Sequence, residues 1–318
     1  MNMRITRRDW GLGAISAAGS LVAPGLAPGA PQITSEPHPQ VVGDDSPPRF
    51  DGGGRLTVPV VINGRGPCMF AVDSAASASV ISRELADELD LEAGGAARIH
   101  TLIGHEPVDL AIAARIRSGS VDVRNRRLVL ATRAGLGVDG LIGVDLLKGQ
   151  RLHLNFRRRR TFIGAGRPSP GGLLDRGRFT VRFHAPPAQR FADLLLIDVH
   201  RGALPVKAII DTGAQVSVIN TAMARAAGCR PIVLLDGSRE RRIQSPTGLS
   251  APATPMMLDL LQFGDITLRN LPVLVGDFHV FDLWNLNDRP AMLLGVDVMK
   301  LFERVVVDLR RAELVLQV

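Results

Sequence analysis

Short apolar runs that alternate with polar residues, and that end at glycine- or asparagine-containing turns, recur along most of the chain. Residues 55–62 alternate in this way, Asn63-Gly64 is typical of a hairpin turn, and residues 68–72 supply the returning strand. The second half repeats the scheme, with strands expected over 194–199 and 206–210. The pattern therefore predicts a chain built mostly from short β-strands.

Helical patterns are few and short. One covers residues 82–91 and is expected to end at Gly94-Gly95, and the other covers residues 220–227 and is expected to end at Gly228. Each lies shortly after an apolar run that ends in an aspartate, so the two halves share this element as well.

Glycine-containing turns predict one long hairpin in each half. The first has its tip around Gly104 and the second around Gly248, each between alternating segments. A segment with three large aromatic residues, 277–288, accounts for most of the extra length of the second half and is expected to overhang the region between the halves.

Two dissimilar motifs occur in the same order in both halves. The first ends an apolar run at Asp73 and again at Asp211, which is 211 − 73 = 138 positions later. The second is centred on Gly143 and on Gly295, which is 295 − 143 = 152 positions later. Because an ordered pair of motifs is hard to obtain twice by chance, the sequence predicts an internal duplication, with a longer loop in the second copy.

Composition fits a two-domain globular protein. The chain has 318 residues, 46% of them apolar, and no tyrosine. The net charge of +7 is concentrated near the N-terminus and at residues 157–160, where four arginines are typical of a solvated turn between strands. Without interleaved aromatic residues, these patches do not favour nucleic-acid binding, so no nucleic-acid partner is predicted.

Two cysteines, Cys68 and Cys229, lie one in each half. Neither belongs to a Cys-x-x-Cys motif or a Cys/His cluster, so no metal site and no disulfide framework is predicted. Two packed, free thiols are the favoured interpretation, and pairing in an oxidising compartment stays open.

The N-terminus resembles a bacterial twin-arginine export signal. Arg7-Arg8 precede a run of small apolar residues, 13–30, that prolines interrupt and that is too short and glycine-rich for a membrane span. The resemblance implies a periplasmic or secreted protein with no stable membrane span after export.

These features give a division of the chain into five segments. The predicted segments are an export signal over 1–30, a linker over 31–54, an N-terminal lobe over 55–163, a second linker over 164–177 and a C-terminal lobe over 178–318.

The two aspartates carry the candidate chemistry. Asp73 is followed by Ser74 and Ala75, and Asp211 by Thr212 and Gly213. On these residues, together with the later glycine motifs, each half resembles a retroviral-type aspartic protease protomer. The whole resembles a bacterial single-chain form with two fused protomers. The resemblance implies a mostly β fold of two similar retropepsin-like β-barrel lobes with a cleft between them.

The resemblance also implies a site. Asp73 and Asp211 would hold a water molecule between them and share one proton, because two adjacent carboxylates do not both ionise readily. This chemistry hydrolyses a polypeptide substrate and calls for no metal and no cofactor. Ser74 and Thr212 would hydrogen-bond across the lobes, and Gly213 would let the backbone approach the carboxylate.

Further residues receive supporting roles from the same resemblance. The glycines Gly143 and Gly295 would support the aspartate loops, and the hairpins at Gly104 and Gly248 would act as flaps over the substrate. Ala75 departs from the family pattern, which has glycine there. An alanine is tolerated if its φ is negative and strains the site if φ is positive.

Two alternatives to an active single-chain endopeptidase stay open. One is a catalytically silent peptide-binding protein that keeps the duplicated fold. The other is a homodimer in which the aspartate pairs form between two chains. The duplication itself favours a monomer, in which the two halves of one chain form a pseudodimer.

Overall fold

The computed structural model of the protein describes residues 3–5, 49–164, 180–184, 194–234 and 236–318. Most of the predicted export signal and of the first linker, and the predicted second linker beyond Gly164, lie outside these residues. Residues 49–54, which were predicted as the end of the first linker, contain a short strand and a turn.

The N-terminal half forms a closed barrel. Its elements, after β1 at Met3–Ile5, are β2 Arg49–Phe50, β3 Leu56–Ile62, β4 Arg65–Val72, β5 Val80–Ser82, α1 Arg83–Glu88, β6 Glu92–His100, β7 His105–Ser118, β8 Val121–Ala131, α2 Arg133–Leu136, β9 Gly140–Ile142, α3 Val144–Leu147, β10 Arg151–Asn155 and β11 Arg160–Gly164. Pairing runs in the order β3-β4-β9-β5-β8-β7 and returns from β7 to β3. Six strands therefore close on themselves, and β6 extends the sheet beyond β7.

The C-terminal half repeats this barrel. Its elements are β12 Thr180–His184, β13 Leu196–Arg201, β14 Leu204–Ile210, β15 Val218–Ile219, α4 Thr221–Ala226, β16 Arg230–Pro231, β17 Arg241–Gln244, β18 Ser250–Phe263, β19 Ile266–Val275, α5 His279–Leu283, β20 Ala291–Leu294, α6 Val296–Met299, β21 Arg304–Asp308 and β22 Glu313–Gln317. Pairing runs in the order β19-β15-β20-β14-β13-β18 and returns from β18 to β19. The prediction of a mostly β fold with two similar barrel lobes is confirmed.

A third sheet joins the two lobes. Its order is β11-β10-β21-β22-β12, so that β10 of the N-terminal lobe pairs antiparallel with β21 of the C-terminal lobe. Arg151 Nε donates to Asp308 Oδ2 at 2.8 Å across this pairing. The sequence patterns did not predict this shared sheet.

Apolar strands bring the aspartates to the ends of buried segments. The last three residues of β4 and of β14 are all buried. Both strands belong to the wall of their barrel and have a paired strand on either side. Because consecutive residues at their ends are buried, both faces of these strands are covered, and their apolar runs are nearly continuous. Asp73 and Asp211 follow directly, each where its strand ends.

The predicted helices form, with one correction. The N-caps are Ser82, which accepts from Leu85 N at 3.1 Å, and Asn220, which accepts from Met223 N at 2.9 Å. Helix α4 ends as predicted, before Gly228 at φ 62°. Helix α1 ends at Glu88, earlier than predicted, because the chain turns at Asp90 (φ 52°) and enters β6, which contains the Gly94-Gly95 pair.

The arginine-rich segment 157–160 forms an exposed turn between β10 and β11, as predicted, with Arg160 opening β11. In the described part of the chain, no helix is both long and apolar enough to cross a membrane.

Candidate active site

The loop after β4 fixes the Asp73 carboxylate through main-chain hydrogen bonds. The Asp73 amide donates to Ile142 O at 2.9 Å, which ties the loop to β9. Oδ1 of Asp73 accepts from the amides of Ala75 and Ala76, both at 2.9 Å. These bonds orient the carboxyl group and favour its ionised form.

The loop after β14 holds Asp211 in the same way. The Asp211 amide donates to Leu294 O at 3.0 Å, and Oδ1 accepts from Gly213 N at 2.8 Å and from Ala214 N at 2.9 Å. The duplicated motifs therefore have the same local geometry in both lobes.

Ser74 and Thr212 interlock the two loops. Ser74 N donates to Thr212 Oγ1 at 3.0 Å, and Thr212 N donates to Ser74 Oγ at 3.1 Å. The hydroxyls in turn donate to main-chain carbonyls of the opposite lobe, Ser74 to Ile210 O and Thr212 to Val72 O, both at 2.7 Å. Both side chains are 0% exposed, so these four bonds form without competing water.

The interlock brings the two aspartates together. A Cβ placed on Gly213 would overlap Oδ2 and Cγ of Asp73, so the C-terminal loop lies directly against the N-terminal carboxylate. The φ of Gly213 is not positive, and glycine is therefore required there by this close approach.

Ala75 occupies the corresponding place in the N-terminal loop. It is not among the described residues with positive φ, so alanine fits this backbone without strain. Its side chain packs against an apolar cluster of the C-terminal lobe, against which Ala214 and Val216 also pack. The departure from glycine is thus accommodated by the local structure.

The two carboxyl groups have different electrostatic surroundings. Burial raises the pKa of Asp211 well above its ordinary value, and the adjacent charge of Asp73 raises it further. Burial also raises the pKa of Asp73, but the amides of Ala75 and Ala76 and the charge of Arg55 act against that rise. Burial therefore raises the pKa of both carboxyl groups, and that of Asp211 by more.

Gly143 and Gly295, the two glycines to which the resemblance gave a supporting role, lie against the two loops. A Cβ on Gly143 would lie 2.7 Å from Ala76 O, and one on Gly295 would lie 2.8 Å from the carbonyl carbon of Val216. Both are closer than side chains tolerate, so only glycine permits this packing.

Two serines that sequence reasoning missed hold these glycines in place. Ser79 Oγ accepts from Gly143 N at 2.9 Å and donates to Asp145 at 2.7 Å. Ser217 Oγ accepts from Gly295 N at 2.9 Å and donates to Asp297 at 2.7 Å. The sequence did carry a signal for these serines. Each lies six positions after its aspartate, 79 − 73 = 6 and 217 − 211 = 6, and each is followed by Val-Ile.

The hairpins predicted as flaps have their tips where expected. We call β6–β7 the N-terminal flap, with its tip at 101–104, and β17–β18 the C-terminal flap, with its tip at 245–249. Gly104 and Gly248 lie in these tips, Gly248 at φ 109°. Thr247 of one hairpin donates a hydrogen bond to Glu106 of the other, so the two hairpins meet.

The aromatic insertion of the second half contacts the N-terminal flap. Phe278, Phe281 and Trp284 are buried in one apolar cluster, and Leu102 of the flap tip packs against it. Val280 N also donates to Leu102 O at 3.3 Å. The insertion, which contains α5, therefore lies against the opposite lobe's flap.

Three histidines that the sequence left scattered come together beside this contact. His100 and His105 flank the N-terminal flap tip, and His279 is the first residue of α5. Their spacing along the chain, 100, 105 and 279, gave no signal of this proximity.

Both cysteines are reduced and lie away from solvent to different degrees. Cys68 is buried and Cys229 is partly buried, and both are free thiols. Within the described ranges, no group of three or more His, Cys, Asp or Glu side chains is arranged to hold a metal ion.

Two barrels that meet at paired, interlocked aspartate loops define an aspartic-protease type of molecule. The chain matches the Aspartyl protease family over residues 58–146 and 197–298, one match in each barrel. The protein belongs to this family, and its general function is that of an aspartyl protease, a hydrolase. No curated protein matches the chain.

Proposed function

We propose that the protein is an endopeptidase that cleaves polypeptides with a water molecule activated between Asp73 and Asp211, one aspartate from each lobe. The observation that carries this proposal is the interlock of the two loops. Ser74 and Thr212 exchange amide-to-hydroxyl hydrogen bonds across the lobes, and Gly213 lies directly against the Asp73 carboxylate.

The surroundings of the pair assign the two roles. Asp73 is the ionised member, because the charge of Arg55 favours its carboxylate, whereas the two amide hydrogen bonds are the same in both loops. Asp211 is the protonated member, because burial and the neighbouring charge disfavour its ionisation.

The first step forms the tetrahedral intermediate. Asp73 takes a proton from the water molecule as its oxygen attacks the scissile carbonyl carbon, and Asp211 gives its proton to the carbonyl oxygen. The carbonyl becomes a gem-diol, Asp73 is now protonated and Asp211 ionised.

The second step breaks the carbon–nitrogen bond. Asp73 donates its proton to the leaving nitrogen while Asp211 takes back a proton from one hydroxyl of the gem-diol. The products are a carboxylic acid and an amine, and both aspartates return to their starting protonation states.

The same proposal includes the predicted organisation of the chain. An extended polypeptide would lie between lobes 55–163 and 178–318, beneath the hairpins that contain Gly104 and Gly248. Both aspartate loops come from one chain here, which supports a monomeric pseudodimer. The proposal also includes export to the periplasm or the exterior, directed by residues 1–30. The Arg7-Arg8 pattern is the support for this part.

Cleavage of a denatured protein by the purified chain tests the proposal. Between about pH 3 and about pH 7 the unaltered chain is expected to cleave. Asp73→Asn and Asp211→Asn are each expected to abolish cleavage, and Asp198→Asn, an exposed aspartate paired with Lys207, is the matched control that retains it. Undiminished cleavage in either dyad variant contradicts the proposal, and peptide binding without cleavage by the unaltered chain favours the catalytically silent alternative.

A further inference from the structure

Three histidine rings connect the N-terminal flap to the C-terminal lobe. His100 Nδ1 and His279 Nε2 lie 2.7 Å apart and share a hydrogen bond, and the two rings are nearly parallel, at 11°, with centroids 5.0 Å apart. The ring of His105 lies 5.9 Å from that of His100 and 5.8 Å from that of His279. We call these three residues the histidine cluster.

The histidine cluster lies beside a contact between the flap tip and the C-terminal lobe. Leu102, between the two flap histidines, accepts from Val280 N at 3.3 Å, and Val280 follows His279 directly. Leu102 packs against the apolar cluster that also receives Ala75, the second residue after Asp73. A change at the histidines therefore acts on the flap tip, which packs against the same apolar cluster as a residue of the Asp73 loop.

The hydrogen bond within the cluster requires a neutral ring. A neutral imidazole has one donor and one acceptor nitrogen, whereas a protonated imidazole has two donors. When His100 and His279 are both protonated, neither nitrogen accepts, and two positive charges face each other at hydrogen-bond distance. The charged and titratable groups acting on His279 are His100 and His105 from the flap and Asp282 from α5, so one carboxylate opposes the effect of two neighbouring rings on His279.

We propose that the histidine cluster is an acid-released latch, which holds the N-terminal flap against the C-terminal lobe at neutral pH and frees it when the rings become protonated. This inference rests on the proposed function, because the freed flap admits polypeptide to the Asp73–Asp211 pair. Release in acid coincides with the conditions in which Asp211 holds its proton.

The direction of the pH effect follows from the closed structure. Partial burial lowers the pKa of His279 below its ordinary value of 6.5, and the adjacent His100 and His105 lower it further. The open flap lacks these neighbours and binds protons more readily, so falling pH favours opening. The closed form is fully favoured above the ordinary histidine pKa and is lost as the pH falls through and below that value.

Hydrogen exchange at the Val280 amide tests the latch without relying on cleavage. The full chain with Asp211→Asn is compared at about pH 8 and about pH 5, with a chelator present so that no bound metal contributes. After correction for intrinsic exchange, protection of the Val280 amide is expected to fall by about tenfold at the lower pH. An unchanged protection factor overturns the latch.

Histidine variants in the same background give the control. With His100→Gln and His279→Gln together, which keep a neutral hydrogen-bonding pair, protection of the Val280 amide is expected to be the same at both pH values. His200→Gln, at an exposed position of β13 in the C-terminal lobe, is expected to keep the acid-dependent loss. A loss that persists in the double variant also overturns the latch. Because exchange is measured in a chain that does not cleave, failure of the latch and failure of the proposed dyad give different results.

Discussion

The amide of Ser74 donates to the hydroxyl of Thr212 at 3.0 Å, and the amide of Thr212 donates to the hydroxyl of Ser74 at 3.1 Å. This reciprocal pair of bonds joins the two lobes, and both residues are 0% exposed. Asp73 precedes Ser74 and Asp211 precedes Thr212, so the bonds fix the two aspartates relative to each other. The position of the dyad therefore depends on two neutral side chains beside it.

Replacing Thr212 with valine is expected to destabilise the protein by about 1–3 kcal/mol, because the Ser74 amide and the Val72 carbonyl lose their buried partner. Thr212→Ser, which keeps the hydroxyl, is the matched control and is expected to lose less. Urea unfolding measures both. Equal stability of the valine and serine variants would show that the interlock does not hold the lobes.

A change of one methyl group is expected to affect activity strongly in the C-terminal loop and weakly in the N-terminal loop. Gly213→Ala places a Cβ on the Asp73 carboxylate and is expected to lower kcat by about 100-fold, because a displacement of about 1 Å misaligns the reacting groups. Ala75→Gly removes a methyl that the backbone accommodates and is expected to leave most of the activity. Steady-state kinetics on one peptide substrate compares them. Full activity of Gly213→Ala would refute the close approach.

Cleavage is expected to have a bell-shaped dependence on pH. Activity rises as the pair loses its first proton, since Asp73 must be ionised, and falls as it loses the second, since Asp211 must stay protonated. Burial raises the pKa of both carboxyls above the ordinary 3.8, that of Asp211 by more, so the descending limb is expected well above that value. The pH profile of kcat/KM reports both limbs. A single ionisation at the ordinary aspartate pKa would contradict a shared proton.

The free energy of unfolding of Asp211→Asn, minus that of the unaltered chain, is expected to become more favourable to the variant as pH rises. A carboxyl whose pKa is raised in the folded state stabilises the fold at low pH, and this contribution is lost as the pH rises through the folded-state pKa. Asparagine does not titrate and keeps an oxygen for the Gly213 and Ala214 amides. Unfolding free energies at about pH 3 and about pH 7 measure the difference. A difference that is the same at both values would show that Asp211 is not desolvated.

Much of the fold followed from the sequence because the duplicated pattern is local. The strands around Asp73 and Asp211, the hairpins at Gly104 and Gly248 and the N-cap at Ser82 depend on neighbours within a few residues. The end of α1 did not follow, because the turn at Asp90 and the early start of β6 depend on pairing with β7.

The features that sequence reasoning missed depend on contacts between distant residues. Pairing of β10 with β21 joins segments about half the chain apart, and no local pattern reports it. The histidine cluster forms because a hairpin of one lobe meets an insertion of the other. Ser79 and Ser217 were visible as repeated residues, but their bonds to Gly143 and Gly295 became evident only in three dimensions.

Titration of the Asp73 and Asp211 carboxyl carbons by NMR, in the unaltered chain and in Asp73→Asn, tests the shared proton most directly. The Asp211 signal is expected to titrate well above the ordinary value of 3.8, and its midpoint is expected to fall in Asp73→Asn, because the neighbouring negative charge is gone. Two independent titrations near the ordinary value, with no response of Asp211 to the substitution, would contradict the dyad.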